Sequence, residues 1–154
     1  MIILLFGQPA SGKSTLANEL IKRLESSINI DGDKWREITK NKDYSKEGRL
    51  RNLKGAFDMA LYLEKEGYLP VVSFVTPYQE LRDYLKLNAT DLIQVHLIYQ
   101  EDRGRNDRFA PDFEFPENEI ITINTSNLSI TKSLLTILAE CALRLNLKFK
   151  DNVE

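Results

Sequence analysis

Ile2 to Phe6 is apolar at every position. A strand buried on both faces reads this way, whereas a half-exposed strand alternates. The polar turn GQPASG follows. From Lys13 to Leu24, leucines at 16, 20 and 24 predict a helix with one buried face. Ile28 to Ile30 is a short predicted strand running into Asp31-Gly32-Asp33. A second helical stripe, Leu50, Leu53, Phe57, Ala60 and Leu61, spans Arg49 to Glu66 and ends at Gly67. Val71 to Val75 predicts another strand. After it, Thr76-Pro77-Tyr78-Gln79 reads as a helix start, with Thr76 as cap, Pro77 at the first helical position and Gln79 closing a capping box. Leu92–Ile98 and Ile120–Ile123 are strand patterns. The last helix runs from Ile130 to Leu145, with Leu134, Leu138, Cys141 and Leu145 inward.

Strands alternating with helices predict an α/β fold built on a mostly parallel five-stranded sheet flanked by helices. Gln100 to Asn118 breaks the pattern. It is polar, aperiodic and contains Pro111 and Pro116, which marks it as a lid or binding loop. A chain of 154 residues predicts one domain, 1–154. A net charge of -2 argues against a nucleic acid polymer as partner. With the single cysteine, Cys141, no intramolecular disulfide can form, which suits a reducing compartment. Nothing approaches a membrane-spanning length, and the short apolar start does not resemble a secretion signal. A cytoplasmic protein is the expectation.

Candidate chemistry begins at Gly7. GQPASGKS, Gly7 to Ser14, satisfies G-x-x-x-x-G-K-[ST] between a predicted strand and a predicted helix. In that context the fold expected is the three-layer P-loop NTPase fold. Amides of the turn and the helix start converge on one volume, and the helix dipole favours an anion there. Gly7, Ala10, Ser11, Gly12, Lys13, Ser14 and Thr15 are therefore the predicted ATP-binding residues, Lys13 reaching the β- and γ-phosphates and Ser14 ligating Mg²⁺. Asp31 and Asp33 end the second strand, where parallel sheets place ligands. Carboxylates there can accept a hydroxyl proton or orient Mg²⁺, so Asp31 and Asp33 join Lys13 as catalytic candidates, with Asp33 also a metal ligand. Arg36, one helical turn on, suits an anionic acceptor. His96, the only histidine, reads as structural.

Several segments in order resemble the adenylylsulfate kinases, which phosphorylate the ribose 3′-hydroxyl of adenylyl sulfate with ATP. These are GQPASGKST, DGDKWR, YSKEGRLRNL (Tyr44 to Leu53), FVTPY (Phe74 to Tyr78) and DFEFPENE (Asp112 to Glu119). The resemblance implies ATP and Mg²⁺ as cofactors, a small-molecule nucleotide acceptor and a homodimer, common in the family. It implies acceptor contacts from Asp31, Arg36, Tyr44, Arg49, Asn52, Val75 and Thr76, with Phe113 as a second stacking face opposite Tyr44. Arg49 and Asn52, three apart, share a helix face.

Departures from the family pattern cluster at Gly48, where the family has an acidic residue, at Lys54-Gly55 in place of an arginine pair, at Gln79, and above all in the lid. EDRGRNDRFAPDFEFPENE replaces the family segment, bringing Arg103, Arg105 and Arg108. Guanidinium groups over a triphosphate stabilise a transferring phosphoryl group, so Arg103 and Arg105 are added to the predicted ATP contacts. Two other readings stand beside this one. A related kinase acting on cytidine diphosphoramidate keeps the chemistry and changes the acceptor. A nucleotide-binding module without turnover keeps only the phosphate loop.

Overall fold

Ile2–Phe6 forms β1, buried on both faces at the centre of the sheet. The computed structural model describes residues 1–117 and 120–145. Four further strands follow: β2 (Ser27–Asp31), β3 (Leu69–Phe74), β4 (Leu92–Ile98) and β5 (Ile121–Asn124). They pair in parallel in the order β2-β3-β1-β4-β5. Between them lie α1 (Lys13–Ile21), α2 (Gly32–Thr39), α3 (Lys46–Lys65) and α4 (Gln79–Asn88), and α5 (Ile130–Leu145) follows β5.

Alternate residues of β1 point into two separate cores. Ile3 and Leu5 pack with Leu16 and Leu20 of α1 and with Leu134, Ile137 and Cys141 of α5. Ile2, Leu4 and Phe6 pack with Leu53, Phe57 and Ala60 of α3 and with Leu81 and Leu85 of α4. Burying one Leu or Phe side chain contributes about 1.5–3 kcal/mol, so these two layers hold helices too short to persist alone. The α/β architecture and the parallel five-stranded sheet match the sequence expectation. Among the described residues no helix is long and apolar enough to cross a membrane. Asn118 and Glu119, at the end of the expected lid and of DFEFPENE, lie outside the described residues, as does the Leu145 side chain.

Two helix starts differ from the sequence reading. α3 begins at Lys46, earlier than the apolar stripe, because the Ser45 hydroxyl accepts from the Gly48 amide and caps the added turn. α4 begins at Gln79, later than expected, and Thr76 is not its cap. Thr76 sits in the left-handed region at φ 45, outside the helix. The cap comes from far away in sequence: the Gln79 amide donates to the Glu114 carboxylate.

Candidate active site

β1 feeds the Gly7–Gly12 turn directly into α1. A side chain on Gly7 would collide with the Leu97 carbonyl, and Gly12 has φ 93. Both positions demand glycine. The Lys13 ammonium is buried in the loop, donating to the Gly7 carbonyl at 3.0 Å, the Gln8 carbonyl at 2.7 Å and the Ser11 hydroxyl at 3.2 Å. Burial lowers its pKa from 10.5 to about 7, opposed by the nearby charges of Asp33 and Asp31.

Asp31 joins this loop to the end of β2. Its Oδ1 accepts from the amides of Asp33 at 3.0 Å and Lys34 at 3.2 Å, capping α2. Its Oδ2 accepts from the Ser14 hydroxyl at 2.5 Å and the Ser73 hydroxyl at 3.2 Å. Ser14 thus meets Asp31 rather than Asp33, the carboxylate expected beside it as a metal ligand. Asp33 is exposed and pairs with the lid: Arg105 at 3.2 Å and Arg108 at 3.9 Å. The difference is one of position in the chain. Asp31 is the last residue of a buried strand, whereas Asp33 lies in the first turn of a solvated helix.

A cavity of about 500 Å³ opens above the C-terminal ends of β1, β2 and β3. Its wall brings together Ala10, Gly12, Lys13, Ser14, Thr15, Asp31, Asp33, Arg36, Tyr44, Arg49, Asn52, Val75, Thr76 and Arg105 from the sequence-derived set. Gly7 and Ser11 lie behind that wall as supports of the loop. Among the described residues, Asn52 Oδ1 and Thr76 Oγ1 are buried without a hydrogen-bond partner. A buried polar atom left unpaired costs about 1–3 kcal/mol, and these two belong to residues of the cavity wall, where a bound ligand can supply the missing partner.

The basic residues expected on the acceptor side are partly committed to the protein itself. Arg36 donates to the carbonyls of Asn41 at 3.1 Å and Asp43 at 3.0 Å, and its guanidinium lies 4.2 Å from the Tyr44 ring centroid. Arg49 is buried and donates to the carbonyls of Tyr44, Arg108 and Phe109. The Asp43 carboxyl group fills the space that a side chain at position 48 would need, which accounts for Gly48.

Two expected contacts lie elsewhere. Phe113 does not face Tyr44 across the cavity. It stacks on His96 at 5.6 Å between ring centroids, with Phe6 beyond, because it packs onto the apolar face of the sheet. Arg103 does not line the cavity. Its guanidinium donates to the Ala10 carbonyl at 3.1 Å and to Thr125, and lies 4.9 Å from the Tyr99 ring, bracing the loop from outside. His96 is buried, and desolvation holds its pKa down at about 4 with help from Arg82, in line with a structural role.

The sequence reading missed Gln8 and Ser73. The Gln8 amide pairs with both halves of one residue, donating to the Ala110 carbonyl at 2.9 Å and accepting from its amide at 3.0 Å. This ties the phosphate loop to the lid. Ser73 had a legible signal: it is the one polar residue in an otherwise apolar strand.

The residues present fit a triphosphate. The N-terminus of α1 carries no acidic residue in its first turn, and Lys13, Arg105 and Arg108 share the wall. They also fit Mg²⁺, a hard cation that uses one or two protein oxygens plus substrate phosphates. Ser14 Oγ supplies one such oxygen, with the Asp31 carboxylate beside it to balance the charge.

The adenylylsulphate kinase family model matches residues 1–106, ending inside the divergent lid segment. An adenylyl-sulfate kinase of Oceanobacillus iheyensis is 30% identical over 158 residues, covering 86% of this chain and 79% of the relative. A cytidine diphosphoramidate kinase of Campylobacter jejuni is 24% identical over 164 residues, covering 92% of this chain and 96% of the relative. Among solved structures, a Mycobacterium tuberculosis APS kinase in complex with AMPPNP and APS superposes with a TM-score of 0.76 at 19% identity, covering 90% of this chain and 95% of the other. A gluconokinase from Sinorhizobium meliloti superposes at 0.65, also at 19% identity, covering 94% of each chain. The last two likenesses concern the fold.

Proposed function

Because this chain belongs to the adenylylsulphate kinase family and is an ATP-dependent kinase, we propose that it transfers the γ-phosphoryl group of ATP to the ribose 3′-hydroxyl of adenylyl sulfate. The observation that carries this reading is the junction at Asp31, whose Oδ2 touches the phosphate-loop Ser14 while its strand end opens into the wall holding Asn52 and Thr76. In this reading donor and acceptor meet at that one carboxylate.

In this reading the amides of residues 10–15 and the Lys13 ammonium cradle the β- and γ-phosphates. Lys13 leaves the loop carbonyls for the phosphates, whose charge restores its proton affinity. Ser14 holds Mg²⁺, with Asp31 beside it balancing the charge. When bound, Mg²⁺ neutralises charge building on the phosphate oxygens. Asp31 Oδ2 orients the acceptor hydroxyl and takes its proton as the bond to the γ-phosphorus forms and the bond from that phosphorus to the bridging oxygen breaks, releasing ADP. Arg105 and Arg108 exchange Asp33 for the transferring phosphoryl group. Arg36, Tyr44, Arg49, Asn52, Val75 and Thr76 form the acceptor wall. With a cation over Tyr44 and Phe113 outside the cavity, this reading has polar contacts, rather than an aromatic sandwich, hold the base.

A second reading keeps the donor site and takes cytidine diphosphoramidate as acceptor. The Campylobacter jejuni relative favours it, as do the short lid and the missing second aromatic face. Acceptor-dependent ADP release, with each acceptor offered separately at equal concentration, tests both. Adenylyl sulfate is expected to give the higher kcat/KM. Turnover confined to the cytidine acceptor would move the assignment. ATP bound without any turnover would leave a binding module.

A further inference from the structure

Arg82 is fully buried in α4, and no contact or charge in the proposed chemistry explains it. Its guanidinium donates to three oxygens: the Thr76 carbonyl at 2.8 Å, Gln79 Oε1 at 2.7 Å and the Glu114 carbonyl at 2.7 Å. Below it lie the rings of Phe6 at 5.0 Å and Phe113 at 5.9 Å. A cation in such surroundings is retained only where its fork of donors is needed, since apolar residues pack the same space at less cost. The first of its partners is itself strained. Thr76 is β-branched and sits at φ 45, a region such residues avoid. Its hydroxyl is one of the unpartnered buried atoms of the cavity wall.

These observations converge on one relationship. The Arg82 fork holds the carbonyl of a residue that is left-handed, lines the cavity and carries an unpaired hydroxyl. The same guanidinium grips the Glu114 carbonyl on the return of the lid, and the Glu114 amide donates to the Pro77 carbonyl at 2.8 Å. We infer that Arg82 is a positioning residue for the acceptor, acting through Thr76, and that it sets the acceptor wall and the lid return in register. The inference rests on the acceptor reading of this wall.

Kinetics on the parent, Thr76→Ala, Arg82→Lys and the double variant test it, with whichever of the two acceptors is turned over. Lysine keeps the charge and loses the fork. Each single change is expected to raise the acceptor KM about tenfold while the ATP KM moves less than about twofold, and the double variant is expected to be no worse than the worse single. Multiplying effects, or an equal rise in the ATP KM, would overturn the inference, since a general loosening of the fold gives those results. If Arg82→Lys does not fold by thermal melting, Gln79→Leu removes one of the three oxygens. Its acceptor KM is expected to rise severalfold and to show no further rise in the Thr76→Ala background. An unchanged KM would overturn the inference. If Thr76→Ala alone leaves the acceptor KM unchanged, the acceptor wall itself is misassigned and Arg82 falls with it. If Thr76→Ala raises it and the effects multiply, the wall stands and only the role of Arg82 falls. Turnover of neither acceptor removes both.

Discussion

The Ser14 hydroxyl donates to Asp31 Oδ2 across 2.5 Å, linking the phosphate loop to the end of β2. The other oxygen of the same carboxylate caps α2. In the proposed reaction one side chain thus carries a structural duty and a chemical one on separate atoms. Asn at this position keeps a capping oxygen and loses the base. Asp31→Asn is expected to melt close to the parent and to lose about 10²- to 10⁴-fold in kcat, with little change in ATP affinity. Single-turnover rates and ATP titrations check this. A loss below tenfold would remove Asp31 from the chemistry.

Asp33 makes the opposite prediction. Its pairs with Arg105 and Arg108 are half-exposed and contribute little to stability. Asp33→Asn is expected to leave the melting temperature unchanged and to lower kcat less than about tenfold, far short of Asp31→Asn. Equal losses at the two positions, measured side by side, would restore Asp33 as a metal ligand or base.

The sheet, the phosphate loop and the last helix were legible because their signals are local: an apolar run, a glycine spacing, a four-residue period. The contacts of the lid segment and the start of α4 were not. Thr76-Pro77-Tyr78-Gln79 has the composition of a cap, yet its geometry is set by Arg82 and by Glu114, far along the chain. Phe113, in the segment between β4 and β5, carries no mark of its partner His96, which lies in β4. In the site, Asp31, Arg49 and Asn52 could be found from motif and spacing. Which of the two aspartates meets Ser14 depended on where β2 ends.

Lys13 sets a pH dependence of stability. Its pKa in the fold is about 7, below the ordinary 10.5, so between those values the unfolded chain binds a proton that the fold does not. Unfolding then takes up a proton, and the contribution of Lys13 to stability rises with pH across that window. Denaturant midpoints near pH 7 and about pH 9 are expected to show a steeper rise in the parent than in Lys13→Met. Parallel slopes would show that the ammonium is not desolvated. ATP binding is expected to draw in a proton over the same range, detectable by calorimetry in buffers of differing ionisation enthalpy.

Gln8 ties the loop to the lid through Ala110, a buried residue. Gln8→Leu leaves both polar groups of that peptide unpaired, at a cost of about 1–3 kcal/mol each if they stay buried. Faster amide exchange at Ala110 and a raised KM for ATP are expected. Unchanged exchange at Ala110 would show that the lid is held by Arg49 and Arg82 without the loop.

The most direct test of the proposed reaction follows the phosphoryl group itself. ATP labelled at the γ-phosphate is incubated with the protein, Mg²⁺ and adenylyl sulfate, and the products are resolved by phosphorus NMR. The reading of the site predicts ADP and a labelled phosphate ester coupled to the ribose 3′-hydrogen of the acceptor. Label found only in unreacted ATP or in inorganic phosphate, with folded protein that binds ATP, would contradict it.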